Sequence, residues 1–164
     1  MNSLTISILI CAALGSGMMA GLFCSFSNFL MQALSEIPSP KGIAAMQSIN
    51  QVIVKPAFLF VFFGTGVACV LFLVLGWGQL NNVTLAWAAA GGGVYVLGSI
   101  IVTIAFNVPM NNRLAAVDSE SEDGAKVWEI YLVRWTQWNH VRSIATIAST
   151  ILLVLAVLNA SGHA

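Results

Sequence analysis

PAFLFVFFGTGVACVLFLVLGWGQLNNVTLAWAAAGGGVYVLGSIIVTIAFNVPMNN, residues 56–112, contains no Asp, Glu, Lys or Arg. A helical bilayer crossing takes about 20 mostly apolar residues, so this run is long enough for two. Its centre, Gly76-Trp-Gly-Gln-Leu-Asn-Asn82, carries the glycines and amides of a tight turn. Working outward, residues 1–35 and 143–164 are also free of Asp, Glu, Lys and Arg, His163 being the one further titratable side chain in the second of them. All twelve formally charged side chains fall in two windows, 36–55 and 113–142. Neutral blocks long enough for one, two and one crossings, separated by two charged segments, predict four spans with both charged loops on one side.

Composition agrees. The 164 residues are 59% hydrophobic and 7% charged, against roughly 25% charged in a soluble domain. Backbone groups in lipid must be satisfied within the element, which leaves helices or a closed barrel. The apolar runs are too continuous for alternating barrel strands. The expectation is therefore an all-α integral membrane four-helix bundle forming a single domain over 1–164, with spans at about 4–34, 56–77, 84–108 and 140–158. Short interfacial helices are expected in the two charged loops. The N-terminal run lacks a leading positive side chain and outlasts a signal-peptide core, so it reads as the first span.

Local signals refine this picture. Pro38-Ser-Pro40 stops the first span, and residues 43–54 read as a short interfacial helix ahead of Lys55-Pro56. Gly17 and Gly21 form a GxxxG, and Gly91-Gly-Gly93 with Gly98 suggests close helix packing. Trp128, Tyr131, Trp135 and Trp138 lie on one helical face of residues 125–138. That segment is expected to be an amphipathic helix lying against the membrane or the bundle, with span four starting after it near Asn139. All six Lys and Arg fall in the two loops, which by the positive-inside rule places those loops in the cytoplasm and both termini outside, in a bacterial inner membrane.

Formal net charge is zero, which gives no reason to expect a nucleic-acid partner. The three cysteines fall within apolar runs at irregular spacing and read as packing residues. One usable His, no clustered Cys and no paired carboxylates in the spans give no set of metal ligands. No cofactor is expected. The side chains that resist a packing account gather at one end of the spans: Asn28, Gln32, Asn50, Lys55, Asn107, Asn111, Asn112, Arg113, Asn139, His140 and Arg142. Polar groups near hydrocarbon are costly unless paired. Either they tie the loops to the helix ends, or they line a pocket under the aromatic face. In the second case Asn50, Asn107, Asn112, Arg113, Trp135, Trp138 and Arg142 are the binding candidates. His140 is then the candidate base, since an imidazole exchanges protons near neutral pH. Asn111 and Asn139 are candidate donors to a developing oxyanion.

The segments Phe106-Asn-Val-Pro-Met-Asn-Asn-Arg113 and Trp135-Thr-Gln-Trp-Asn-His-Val-Arg142, with Trp128, Tyr131, Asn50 and the glycine-rich first span, resemble the DUF1772 family of small membrane proteins, also called anthrone oxygenase-like. The resemblance covers most of the chain. It implies a four-span oxidoreductase that acts on a reduced, hydrophobic polycyclic aromatic with molecular oxygen as co-substrate. Asn107, Asn111, Trp138, Asn139, His140 and Arg142 are the motif positions that would carry it. A non-catalytic membrane subunit and a lipid- or quinone-binding module are the alternatives. Membrane lipid and a hydrophobic small molecule are the expected partners, with a homo-oligomer through the glycine-rich faces as a further expectation.

Overall fold

A computed structural model describes residues 3–78 and 81–161. His163 and the turn residues Gln79 and Leu80 lie outside the described residues. Among the described residues the chain is all-helical, with five helices: α1 (Ser3–Ser35), α2 (Ser39–Ile53), α3 (Pro56–Gly76), α4 (Asn82–Ala115) and α5 (Glu122–Ser161). Four of them, all but α2, are long and apolar enough to cross a membrane.

The starts follow from local chemistry. Pro40 and Pro56 sit in the first turns of α2 and α3, where a missing N–H costs nothing. Asn81 caps α4 by accepting the Thr84 amide at 2.8 Å. Gly78 takes φ +73° in the turn before it, a backbone conformation that a residue with a Cβ rarely adopts.

Helix length sets the architecture. At 1.5 Å per residue, α3 is about 32 Å long and matches a hydrocarbon core of about 30 Å, whereas α1 and α4 reach about 50 Å and α5 about 60 Å. At the end away from the charged loops the helices finish together: Thr84 Oγ1 donates to Asn159 Oδ1 at 2.7 Å, and Leu9, Phe72, Ala88 and Leu153 share one core cluster. The excess length therefore projects from the opposite end. There α2 packs against it to form a helical head around Phe26, Ile43, Met46, Leu114, Trp128, Tyr131 and Trp135. Gln47 Nε2 closes the head by donating to the carbonyls of Leu114 (2.9 Å) and Val117 (3.0 Å), so both charged windows meet at this end.

One expectation is corrected. Residues 125–138 are not a separate amphipathic helix: α5 runs unbroken from Glu122, so the helix that carries span four starts well before Asn139. No Gly or Pro follows Gly124 within it, and one buried stripe continues through Trp128, Tyr131, Trp135, Asn139, Arg142, Thr146, Leu153 and Ala156. In the first span, the close approach is made by Gly15, where a methyl would overlap the Thr65 hydroxyl, while the Gly17–Gly21 pair meets little. Gly98 likewise presses on Ala145.

Three stretches of wider, π-type turn interrupt the long helices: Phe26–Leu30 in α1, and Val96–Ile101 and Thr103–Asn107 in α4. The last immediately precedes Pro109, which cannot donate to Ala105 and whose ring crowds that carbonyl. α3 runs beside α4 over Asn82–Tyr95 and Val96–Ile101, and the two draw apart along Thr103–Asn107.

Candidate functional site

The gap left where α3 and α4 part opens into a cavity of about 140 Å³ at the junction of spans and head. Its walls are largely aromatic, with Phe23 and Phe26 from α1, Phe58 and Phe62 from α3 and Trp135 from α5. Phe58 and Phe62 stack at 5.4 Å, and Phe23 meets Phe62 edge-on at 6.4 Å. The rim is apolar and outward-facing: Val54, Leu59, Phe63, Ile104 and Val108 are 37–57% exposed. A void of this size is close to the roughly 150 Å³ that accommodates benzene in a protein core.

The polar end of the cavity is built on Asn111. Its Oδ1 accepts the Trp135 indole N–H at 2.7 Å and the Tyr131 hydroxyl at 2.8 Å. Asn50 Nδ2 donates to the same Tyr131 oxygen at 3.3 Å, so one network ties α2, α4 and α5. Two donors on one side-chain oxygen fix the orientation of the amide. The Asn111 NH₂ is then the group left for the cavity, which Asn111 lines. Trp128, Tyr131 and Trp135 stack one above another at 5.6–5.7 Å within 17° of parallel, which holds the two donors in place.

Arg142 lines the cavity and is 5% exposed. Its Nη2 donates to Asn139 Oδ1 at 2.7 Å and its Nη1 to Thr103 Oγ1 at 3.2 Å. Its guanidinium lies over the Phe23 ring at 4.3 Å and the Trp135 ring at 5.1 Å. Asn139, fully buried, is spent on positioning: its Nδ2 donates to the Phe23 carbonyl at 2.8 Å and to Ser27 Oγ at 2.7 Å.

Of the residues singled out in the sequence, Asn50, Asn111, Trp135 and Arg142 come together on this cavity, and Asn139 stands behind Arg142. Asn107 is fully buried beside it; its Nδ2 donates to the Trp135 carbonyl at 3.3 Å and its Oδ1 has no partner. His140 is exposed and lines none of the cavities described, because it points about 100° round the helix from Asn139. Asn28, Gln32, Lys55 and Asn112 are exposed as well. Trp138 leaves the aromatic stripe to stack on Phe106 at 3.6 Å, and with Arg113 it borders a separate, more open groove. Sequence reasoning missed Phe23 and Thr103, which carry no distinguishing signal in their apolar runs. It also left Tyr131 out of the site, although that residue lies between Trp128 and Trp135 on the stripe. Among the described residues, no three His, Cys, Asp or Glu side chains gather into a metal-binding group.

A family model described as anthrone oxygenase matches residues 54–152. That stretch contains α3, α4, the loop after it and most of α5, and so every cavity residue except those of α1 and α2. No curated protein and no solved structure matches the chain.

Proposed function

The chain belongs to the anthrone oxygenase family, and from that premise we propose that it is a membrane-embedded oxygenase that converts a ring methylene of a hydrophobic polycyclic aromatic into a carbonyl. The observation that carries this reading is the aromatic cavity whose mouth opens between α3 and α4 through an apolar rim and whose far end presents Asn111 and Arg142. A flat, lipid-soluble molecule would pass from the bilayer through that rim and lie among the phenylalanines. Since the cavity alone holds about one ring, a three-ring substrate would fill it and project through the mouth.

An anthrone has an acidic methylene, and loss of one proton places negative charge on its carbonyl oxygen. The Asn111 NH₂ and the Arg142 guanidinium are the donors for that oxygen. Fixed donors of this kind, screened from water, stabilise a developing oxyanion far better than solvent does. The electron-rich ring carbon then combines with molecular oxygen, and the hydroperoxide so formed loses water. One oxygen atom becomes the new carbonyl, the other leaves as water with both methylene hydrogens, and the substrate supplies all four electrons. By the positive-inside rule the head, with Lys41, Lys55, Arg113, Lys126 and Arg134 exposed on it, faces the cytoplasm.

Oxygen uptake by the full chain in lipid nanodiscs, with an anthrone added, tests the reading. Uptake that falls at least tenfold in Asn111→Ala supports it. Binding of the anthrone with no uptake and no quinone formed overturns it in favour of a binding module for lipids or quinones.

A further inference from the structure

We infer that the cavity selects an apolar aromatic carrying one ionised oxygen, and that Arg142 is the residue that reads this charge. The inference rests on the cavity being the substrate site, as proposed above, and names the chemical class that the site accepts.

Arg142 sits in the walls of an otherwise aromatic cavity, nine-tenths or more withdrawn from solvent. A buried guanidinium is normally matched by a carboxylate, because an unpaired charge away from water is costly. Here the hydrogen-bond partners are a threonine hydroxyl and an amide oxygen, both neutral, and Nε is buried with no partner. Arg142 makes no ion pair among the described residues. The rings of Phe23 and Trp135 offer it their quadrupoles but no net negative charge. One full positive charge therefore remains unbalanced by the protein's own groups, beside a cavity of ring size. Asn111 adds a second donor to the same cavity. An aromatic carboxylate, phenolate or enolate meets all three conditions: a flat apolar body, one negative oxygen, and acceptor capacity for both donors. A neutral hydrocarbon or amide of the same shape leaves the charge uncompensated.

The same arrangement has a purely structural alternative, in which Arg142 only braces α1, α4 and α5. The two make different predictions about ligand charge. The full chain in detergent, without oxygen, is titrated calorimetrically with 1-naphthoate, which is ionised at neutral pH, and with its neutral isostere 1-naphthamide. A charge-assisted contact predicts roughly 10- to 100-fold tighter binding of the naphthoate. Arg142→Gln should abolish this preference while leaving naphthamide affinity within about threefold, and Arg142→Lys should keep part of it. A double Arg113→Gln/Arg134→Gln variant, which removes exposed charges of the outer groove, should keep it whole. Equal affinities for the two ligands in the unmodified chain would overturn the inference even if the Arg142 variants do not fold. A preference that survives Arg142→Gln, or disappears in the outer-groove variant, would overturn it too. The measurement needs no turnover, so a chain that binds selectively but takes up no oxygen sinks the oxygenase reading alone. A chain that takes up oxygen without charge preference sinks only this inference.

Discussion

Asn139 and Arg142, three residues apart on α5, form one unit: Asn139 Oδ1 accepts Arg142 Nη2 at 2.7 Å while the Asn139 NH₂ is held by the Phe23 carbonyl and Ser27 of α1. The arginine is thus aimed by an amide that is itself anchored across the helix interface, and neither group contributes a negative charge.

Asn139→Ala leaves buried groups unpaired on both sides, and is expected to lower stability by about 2–4 kcal/mol. Asn139→Asp keeps the acceptor for Arg142 but neutralises its charge. Its second carboxylate oxygen replaces the NH₂ against the Phe23 carbonyl, so it should be no more stable than the alanine variant, and it should lose at least tenfold in oxygen uptake. Thermal unfolding in detergent, followed beside turnover, separates the two effects; an aspartate variant with full activity would show that the unbalanced charge plays no part.

His140→Ala is expected to leave oxygen uptake within twofold of the unmodified chain. The side chain is exposed and borders no cavity, so it has no path to a bound substrate. A hundredfold loss in a variant with unchanged unfolding temperature would restore the imidazole as the base.

Ile104→Trp places an indole at the mouth, where Ile104 is 53% exposed and close packing is not disturbed. Stability should hold within about 0.5 kcal/mol, as for other outward-facing positions. The concentration of anthrone needed for half-maximal uptake should rise several-fold. Unchanged kinetics would mean that substrate reaches the site by another route.

Gly98→Ala sets a methyl against the Ala145 side chain and is expected to cost about 1–3 kcal/mol through overpacking. Adding Ala145→Gly should recover part of this despite its own helix-propensity cost of about 1 kcal/mol. Additive losses in the double variant, measured by thermal unfolding, would refute a direct contact between the two positions.

The partition of charge made the four long helices legible, because lipid tolerates so few alternatives. The unbroken course of α5 was harder to see. The aromatic face of Trp128, Tyr131, Trp135 and Trp138 suggested a separate interfacial helix, yet the spacing of three and four from Trp128 through Tyr131, Trp135, Asn139 and Arg142 to Thr146 already describes one face of one helix. The same spacing separates Asn139 and Arg142, which point inward, from His140, which cannot. What the sequence held no trace of was the parting of α3 from α4. That depends on wide turns near Pro109 and on the unequal lengths of helices that meet flush at their far ends.

A mouth that faces hydrocarbon changes what concentration means for this protein. The relevant quantity is the mole fraction of substrate dissolved in the bilayer, set by its partition coefficient. At fixed total substrate, empty liposomes added to the assay should slow turnover by surface dilution, and a poorly water-soluble compound should be a better substrate than its dose in the aqueous phase implies.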